Sequence, residues 1–202
     1  MLIRRLHLHE RPHFAAHLKR LSADDRRLRF ARAGASDEWI DTYVAGIAET
    51  DLILAAFTDD HVAGAAHVAL AGTVAEVGIS VDAAHRASGI GSEVLAQAVA
   101  FARNRRAEKL YTLCLSENRS MVALARRTGM EVQYQGGEAE AFLHLPPPDS
   151  LTVSQEASTG LFAVFHDWAE LLDGYGDALA RSMTPFSLDG LPLPDWLKTP
   201  AA

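Results

Sequence analysis

Three groups of residues could do chemistry together in this chain: the carboxylate of Glu76, the loop Arg86-Ala87-Ser88-Gly89-Ile90-Gly91, and the side-chain amide of Asn118. Glycines spaced as Gly89 and Gly91 let a backbone approach a ligand with no side chain intervening. They also leave the first N–H groups of a following helix unpaired, at the positive end of the helix dipole. That arrangement is a seat for a phosphate or pyrophosphate. Glu76 lies ten residues before Arg86 on a predicted strand. By two-residue alternation it shares a face with Gly78 and Ser80, while Val77, Ile79 and Val81 face the other way. A lone carboxylate between small residues is expected to be desolvated, a condition that suits a general base. The alternative is a carboxylate at the solvent edge of the strand, paired with an arginine.

The elements around these residues narrow the ligand. Val77 to Arg103 reads as strand, tight loop and helix, with Ile90, Val94, Ala98 and Phe101 recurring at helical spacing. No Gly-Lys-Ser/Thr follows the second glycine, so the loop is not a Walker A loop. A dinucleotide fingerprint needs three glycines and an acidic residue closing the next strand, which here ends in Cys114-Leu115-Ser116. Leu110 to Leu115 is a further strand, and Asn118 opens a helix that ends at Gly129-Met130.

On these residues the chain resembles the GNAT acyltransferases, whose cofactor loop reads Arg/Gln-x-x-Gly-x-Gly/Ala; Arg86, Gly89 and Gly91 match it. The resemblance spans Leu52 to Leu145, with Asn at the start of the second helix and a Gly-hydrophobic pair at its end. It implies acetyl-CoA as cosubstrate, without a metal, and direct transfer of an acetyl group to a primary amine. The family's fourth and fifth strands splay apart to admit the thioester arm. Residues Ile79, Ser80 and Val81 would pair with the pantetheine. The N–H groups of Ala87, Ser88, Gly89, Ile90, Gly91 and Ser92 would take the pyrophosphate, with Arg86 at its edge. Asn118 would hydrogen-bond the pantetheine or simply cap its helix. Glu76 sits where bacterial protein lysine acetyltransferases of the family place their base. Two departures stand out: Ala125 occupies the position of a frequent tyrosine that protonates the leaving thiolate, and Ala87 replaces a frequent loop glycine. Tyr134 would substitute for the missing acid only if folding brought it near.

The fold expected is α/β: a GNAT-type mixed central sheet flanked by helices, plus a C-terminal amphipathic helix. Strands are predicted over 2–8, 52–57, 62–70, 74–81, 109–115, 130–135 and 140–145. Helices are predicted from Pro12 to Leu21, from Ser22 to Phe30, from Ser36 to Ile47, and over 89–106 and 118–128. The acyltransferase domain is taken as residues 1–146. Residues 147–202 form an extension that begins after Pro146-Pro147-Pro148 and carries an aromatic stripe of Leu161, Phe165, Trp168, Leu172, Tyr175 and Leu179. Packing on the parent domain or homodimerisation would bury that stripe.

The chain has 202 residues, a net charge of −7 and one cysteine. No run of about 18 apolar residues is present, so no membrane span is expected. The single Cys114 sits in an apolar strand as core packing and, with no apolar signal core at the N-terminus, agrees with a cytoplasmic setting. Residues 1–35 carry nine Arg/Lys against three acids, a net of +6, and residues 146–202 carry eight acids against Arg181 and Lys198, a net of −6. The basic end lacks interleaved aromatics or a reader motif, so no nucleic-acid partner is expected. His13 and His17 stand four apart on a helix, and His7 and His9 share a strand face. Without a HExxH motif or a nearby cysteine they are read as surface residues rather than metal ligands. His144 would line the acceptor cleft. The acceptor that the resemblance implies is a primary amine, a protein lysine or a small molecule. The rival reading is a non-catalytic acetyl-CoA-binding module acting through its C-terminal helix.

Overall fold

A computed structural model describes residues 2–58, 61–154, 156 and 157. Seven strands form one sheet in the order β1-β2-β3-β4-β5-β7-β6: β1 (Leu2–Arg5), β2 (Leu52–Phe57), β3 (Val62–Ala71), β4 (Val74–Val81), β5 (Lys109–Leu115), β6 (Glu131–Gln135) and β7 (Glu138–His144). Every neighbouring pair is antiparallel except β4 and β5, which run parallel. The parallel pair needs a crossover, supplied by α4 (Ile90–Asn104); α5 (Arg119–Arg127) then links β5 to β6.

Small residues let the helices approach the sheet closely. One face packs Ala66, Val68, Ala75 and Val77 against Val94, Leu95, Ala98 and Phe101 of α4 and Leu124 and Ala125 of α5. The other face packs Ile53, Ala55 and Ala65 against Phe14 and Leu18 of α1 (Arg11–Arg20) and Ile40 and Val44 of α3 (Asp37–Ala45). The short α2 (Ala23–Phe30) has no buried residue. Its Arg29 guanidinium lies over β4, where a Cβ on Gly78 would collide with it.

The opening strand is shorter than its alternation predicts. It stops at Arg5 because Arg4 turns back onto Glu10, with Nη1 to Oε2 at 2.8 Å and Nη2 to Oε1 at 2.5 Å. His7 N–H donates to the same carboxylate at 2.9 Å, closing a 3-10 turn over Leu8–Glu10 that leads into α1. Glu10 is buried, which alone would raise its carboxyl pKa. The hydrogen bonds and charge of Arg4 and the backbone of His7 overcome that and hold it at about 2.

The aromatic stripe at 161–179 lies outside the described residues. Just before it, residues 150–154 are helical, with Thr152 N–H capped by Asp149 Oδ1 at 2.9 Å. Arg103 at the end of α4 donates to the carbonyls of Pro146 and Pro147 and to Asp149 Oδ2. No helix among the described residues is long and apolar enough to cross a membrane.

Candidate active site

The sheet opens at its one parallel seam. β4 and β5 pair only over Val74–Glu76 and Lys109–Tyr111. Beyond that point β3 follows β4 to Val81 and β7 follows β5 to Leu115. Each half-sheet therefore keeps its other partner while the two facing edges separate. Ile79, Ser80 and Val81 lie on one lip of the gap, and Leu113 to Leu115 on the other. Edge N–H and C=O groups without a strand partner are a template for an added extended chain.

The loop after β4 lies against the start of α4. Gly89 has φ +92°, a left-handed conformation that favours glycine, and a Cβ there would meet nothing within 4 Å. Open space lies before it. At Gly91 a Cβ would make ordinary contact with Leu124, so this glycine is not demanded by space. Ala87 holds φ +60° despite its side chain. Among the described residues, the N–H groups of Ala87, Ser88, Gly89, Ile90 and Gly91 have no acceptor. Ser92 N–H differs from expectation: it closes the first turn onto Gly89 C=O at 3.0 Å, as Glu93 N–H does at 3.1 Å. Ser88 Oγ–H donates to His85 C=O at 2.6 Å, and Arg86 pairs with Asp25 of α2 at 2.5 Å.

Asn118 caps α5, its Oδ1 accepting from Met121 N–H at 3.1 Å, while Nδ2 reaches Leu28 C=O of α2 at 3.4 Å. Arg27 pairs with the neighbouring Glu117. Two contacts thus tie α2 to the β5 lip, and the Arg86–Asp25 pair ties it to the cofactor loop.

Glu76 is the last β4 residue paired with β5 before the gap and is exposed, so the desolvated carboxylate expected from its small neighbours is not what the fold supplies. Among the described residues no helix covers that sheet face over β7, because α1 and α3 lie over the other half of the sheet. Register places Tyr111 beside Glu76, and Glu138, Glu140 and Phe142 of β7 on the same open face. Partial burial raises the Tyr111 phenol above its ordinary value. The charges of Glu140, Glu76 and Glu138 and a hydrogen bond to Glu140 add to the effect. Across β3, His67 lies opposite Gly78, its Nδ1 2.8 Å from the Tyr43 hydroxyl and its Nε2 3.1 Å from Asp51. Burial, outweighing the Asp51 hydrogen bond, lowers the His67 pKa.

Other expectations fare differently. Ala125 is 1% exposed within the core. Tyr134 is exposed on the α5 side of β6, where its hydroxyl accepts from Arg126 at 3.0 Å. It pairs with the core residue Ala139 and so lies on the sheet face opposite Glu76. Tyr111 is the phenol the fold brings to Glu76, and only the parallel register, invisible in the sequence, could have found it. His144 pairs with Lys109, behind the point where the gap opens. His17 is fully buried and His13 exposed, so the two do not address one ion. His7 and His9 flank and enter the 3-10 turn instead of sharing a strand, their rings stacked at 5.8 Å. Cys114 is buried, which raises its thiol pKa.

Comparison with known proteins bears on this arrangement. The fold resembles the GNAT domain of S. lividans PAT, at 18% identity, TM-score 0.62, and 71% and 89% coverage of the two chains. It also resembles a ribosomal-protein-alanine N-acetyltransferase of Brucella melitensis, at 20% identity, TM-score 0.55, and 72% and 100% coverage. A third is yncA of Salmonella typhimurium, whose structure contains its cofactor acetyl-CoA, at 18% identity, TM-score 0.52, and 73% and 97% coverage. No curated protein gives a significant match to the sequence. The acetyltransferase (GNAT) family model matches residues 15–130, more than half of the chain. With its parallel seam opening beside a glycine-rich helix start, the chain belongs to the GNAT acetyltransferase family.

Proposed function

We propose that this protein transfers an acetyl group from acetyl-CoA directly to a primary amine, with a protein lysine as the first acceptor class to test and a small amine as the second. The observation that carries this is the opening of the β4–β5 seam immediately after Glu76, beside five loop N–H groups that have no acceptor among the described residues. The gap is suited to an extended pantetheine arm and the loop to a pyrophosphate. Bound acetyl-CoA supplies an activated carbonyl; the remaining tasks fall to the chain. With a pKa near 10.4, only about one lysine amine in 2,500 is unprotonated at pH 7. A proton acceptor is therefore required. Glu76, exposed at the mouth of the gap, takes that proton directly or through one water. Tyr111, held protonated by partial burial and by the neighbouring carboxylates, donates to the departing thiolate in place of the tyrosine that position 125 lacks. The carboxylates of Glu76, Glu138 and Glu140 also favour a cationic acceptor on this face.

Glu76→Gln should leave CoA affinity unchanged in calorimetry and lower kcat by roughly 10²–10⁴. Tyr111→Phe should lower kcat by roughly ten- to hundredfold, the low end because a thiol with pKa near 8.5 leaves without much help. Wild-type turnover in both variants would remove these roles. Tight CoA binding without turnover on any amine or lysine peptide would instead favour the binding module.

A further inference from the structure

A group of side chains beside the cofactor loop has no place in acyl transfer. His61 directly precedes β3, Asp82 directly follows β4, and His85 closes the 3-10 turn Ala83–His85. One ligand atom from each lies within 4.8 Å of the others. We propose that His61, Asp82 and His85 bind a divalent transition metal, with Zn²⁺ the best match to their chemistry.

The ligand set is two imidazoles and one carboxylate, which suits zinc and, after it, cobalt or nickel. His61 Nε2 and Asp82 Oδ2 are 3.2 Å apart, close to the roughly 3.4 Å that separates two ligands around a tetrahedral zinc with bonds near 2.0–2.1 Å. His85 Nδ1 is buried with no hydrogen-bond partner among the described residues. Such nitrogens are uncommon, and an ion is one of the things that satisfies them.

The three residues are also held in place. Thr58 donates to His61 C=O from both its N–H, at 2.9 Å, and its hydroxyl, at 3.0 Å. His85 N–H bonds Asp82 C=O at 2.9 Å, and Asp82 N–H bonds Ala63 C=O at 2.8 Å. Behind the carboxylate, Asp82 Oδ1 is 3.1 Å from Nδ1 of the fully buried His17. That nitrogen also faces Val62 C=O at 3.0 Å, and both partners are acceptors, so it carries the proton. His17 Nε2 lies 2.9 Å from Ser80 Oγ, extending the chain inward. A carboxylate ligand oriented by an outer hydrogen-bond chain is the arrangement that metal sites use. One group opposes the ion: Arg20 Nη2 is 3.3 Å from Asp82 Oδ2, though it also donates to Val62 C=O at 2.6 Å. Water would complete the coordination.

The test uses the full chain, stripped with a chelator and titrated with ZnCl₂ by calorimetry and with Co²⁺ by visible absorption. Wild type should bind one zinc per chain, show the cobalt bands of an ordered low-coordinate site, and melt at a higher temperature with zinc. His61→Ala and His85→Gln should each weaken zinc at least tenfold and abolish the cobalt bands. Their metal-free melting curves serve as the folding control. Arg20→Gln should tighten zinc severalfold, and His7→Ala/His9→Ala should change nothing. Absence of binding at millimolar metal would overturn the assignment. So would undiminished binding by a folded His61→Ala/His85→Ala variant.

Discussion

The start of α4 can sit on the sheet only because residue 64 has no side chain. A Cβ on Gly64 would lie 2.6 Å from Ile90 Cγ2 and 3.3 Å from both Ser80 C=O and Val81 Cγ2. Carbon pairs normally rest at about 3.5–4.0 Å, so Gly64→Ala requires roughly 1 Å of movement between β3 and the first residue of α4. Gly64 lies within β3, where alanine meets no backbone conflict; the shorter list of chain conformations open to alanine would favour the variant by about 0.5–1 kcal/mol. Any net loss therefore reports the clash. Overpacking of this size costs about 1–3 kcal/mol, a fall in Tm of roughly 2–12 °C for a chain of this length. Ile90 also supplies one of the free N–H groups, so displacement should reach the cofactor seat; about 1.4 kcal/mol transmitted there weakens CoA tenfold. Calorimetry with CoA and thermal melts of Gly64→Ala, Ile90→Ala and the double variant give a complete cycle. Ile90→Ala alone should cost about 2–5 kcal/mol, and adding Gly64→Ala should then cost nothing further, because the new methyl fills the vacated space. A single Gly64→Ala variant with wild-type Tm and CoA affinity would refute the reasoning, as would simple additivity in the double variant.

Two further outcomes follow from local chemistry. The Glu10 carboxyl is held at about 2 instead of 4.5; a depressed acid stabilises the fold fully above its unfolded value, so this contribution is lost as pH falls from 4.5 towards 2. Its ceiling is about 3 kcal/mol, and solvent screening brings it to roughly 1–2 kcal/mol. Urea unfolding of wild type and Glu10→Gln should therefore differ at pH 7 and converge near pH 2, and a gap independent of pH would contradict the Arg4–Glu10 account. Ala87 carries φ +60°, a strain of about 1–2 kcal/mol that glycine escapes at an entropic cost of about 0.5–1 kcal/mol. Ala87→Gly should be neutral to about 1 kcal/mol more stable, with CoA binding intact; destabilisation by urea titration would show that the alanine methyl contributes packing.

Much of the framework was legible because its signals are local. Three strands, 52–57, 74–81 and 109–115, match their predicted bounds, since each is an apolar or alternating run bordered by polar or turn residues. The Gly89–Gly91 loop and α4 follow from glycine spacing and a helical apolar repeat. β7 begins at Glu138, two residues before its predicted start. Glu138-Ala139-Glu140-Ala141 alternates for one buried and one open face, and Gly136-Gly137, with φ +60° and +89°, forms the tight turn before it. What escaped was non-local. The buried state of His17 depends on residues 62, 80 and 82, and the meeting of Glu76 with Tyr111 depends on a parallel register set by a crossover. The openness around Glu76 arises because no described helix covers β7 on that face, which the pattern of β4 alone does not reveal.

The helix that spans the candidate site draws little support from burial. α2 has no buried residue, whereas α1 buries Phe14, Ala15, His17 and Leu18. Polar contacts fix α2 instead: Asp25 to Arg86 on the cofactor loop, Arg27 to Glu117 before α5, and Leu28 C=O to Asn118. Phe30 adds edge contacts to Trp39 at 4.8 Å and Tyr43 at 5.2 Å. Exposed ion pairs contribute only about 0–1 kcal/mol each and weaken with salt, while α1 shares the stability of the core. Hydrogen exchange should therefore release α2 amides well before those of α1, and added salt should widen the difference. Binding of CoA at the loop that Arg86 borders should slow α2 selectively, because the same pair links it to the ligand. Equal protection of the two helices, or an α2 indifferent to both salt and CoA, would show that its placement rests on packing after all and that the contacts to Arg86 and Glu117 are incidental.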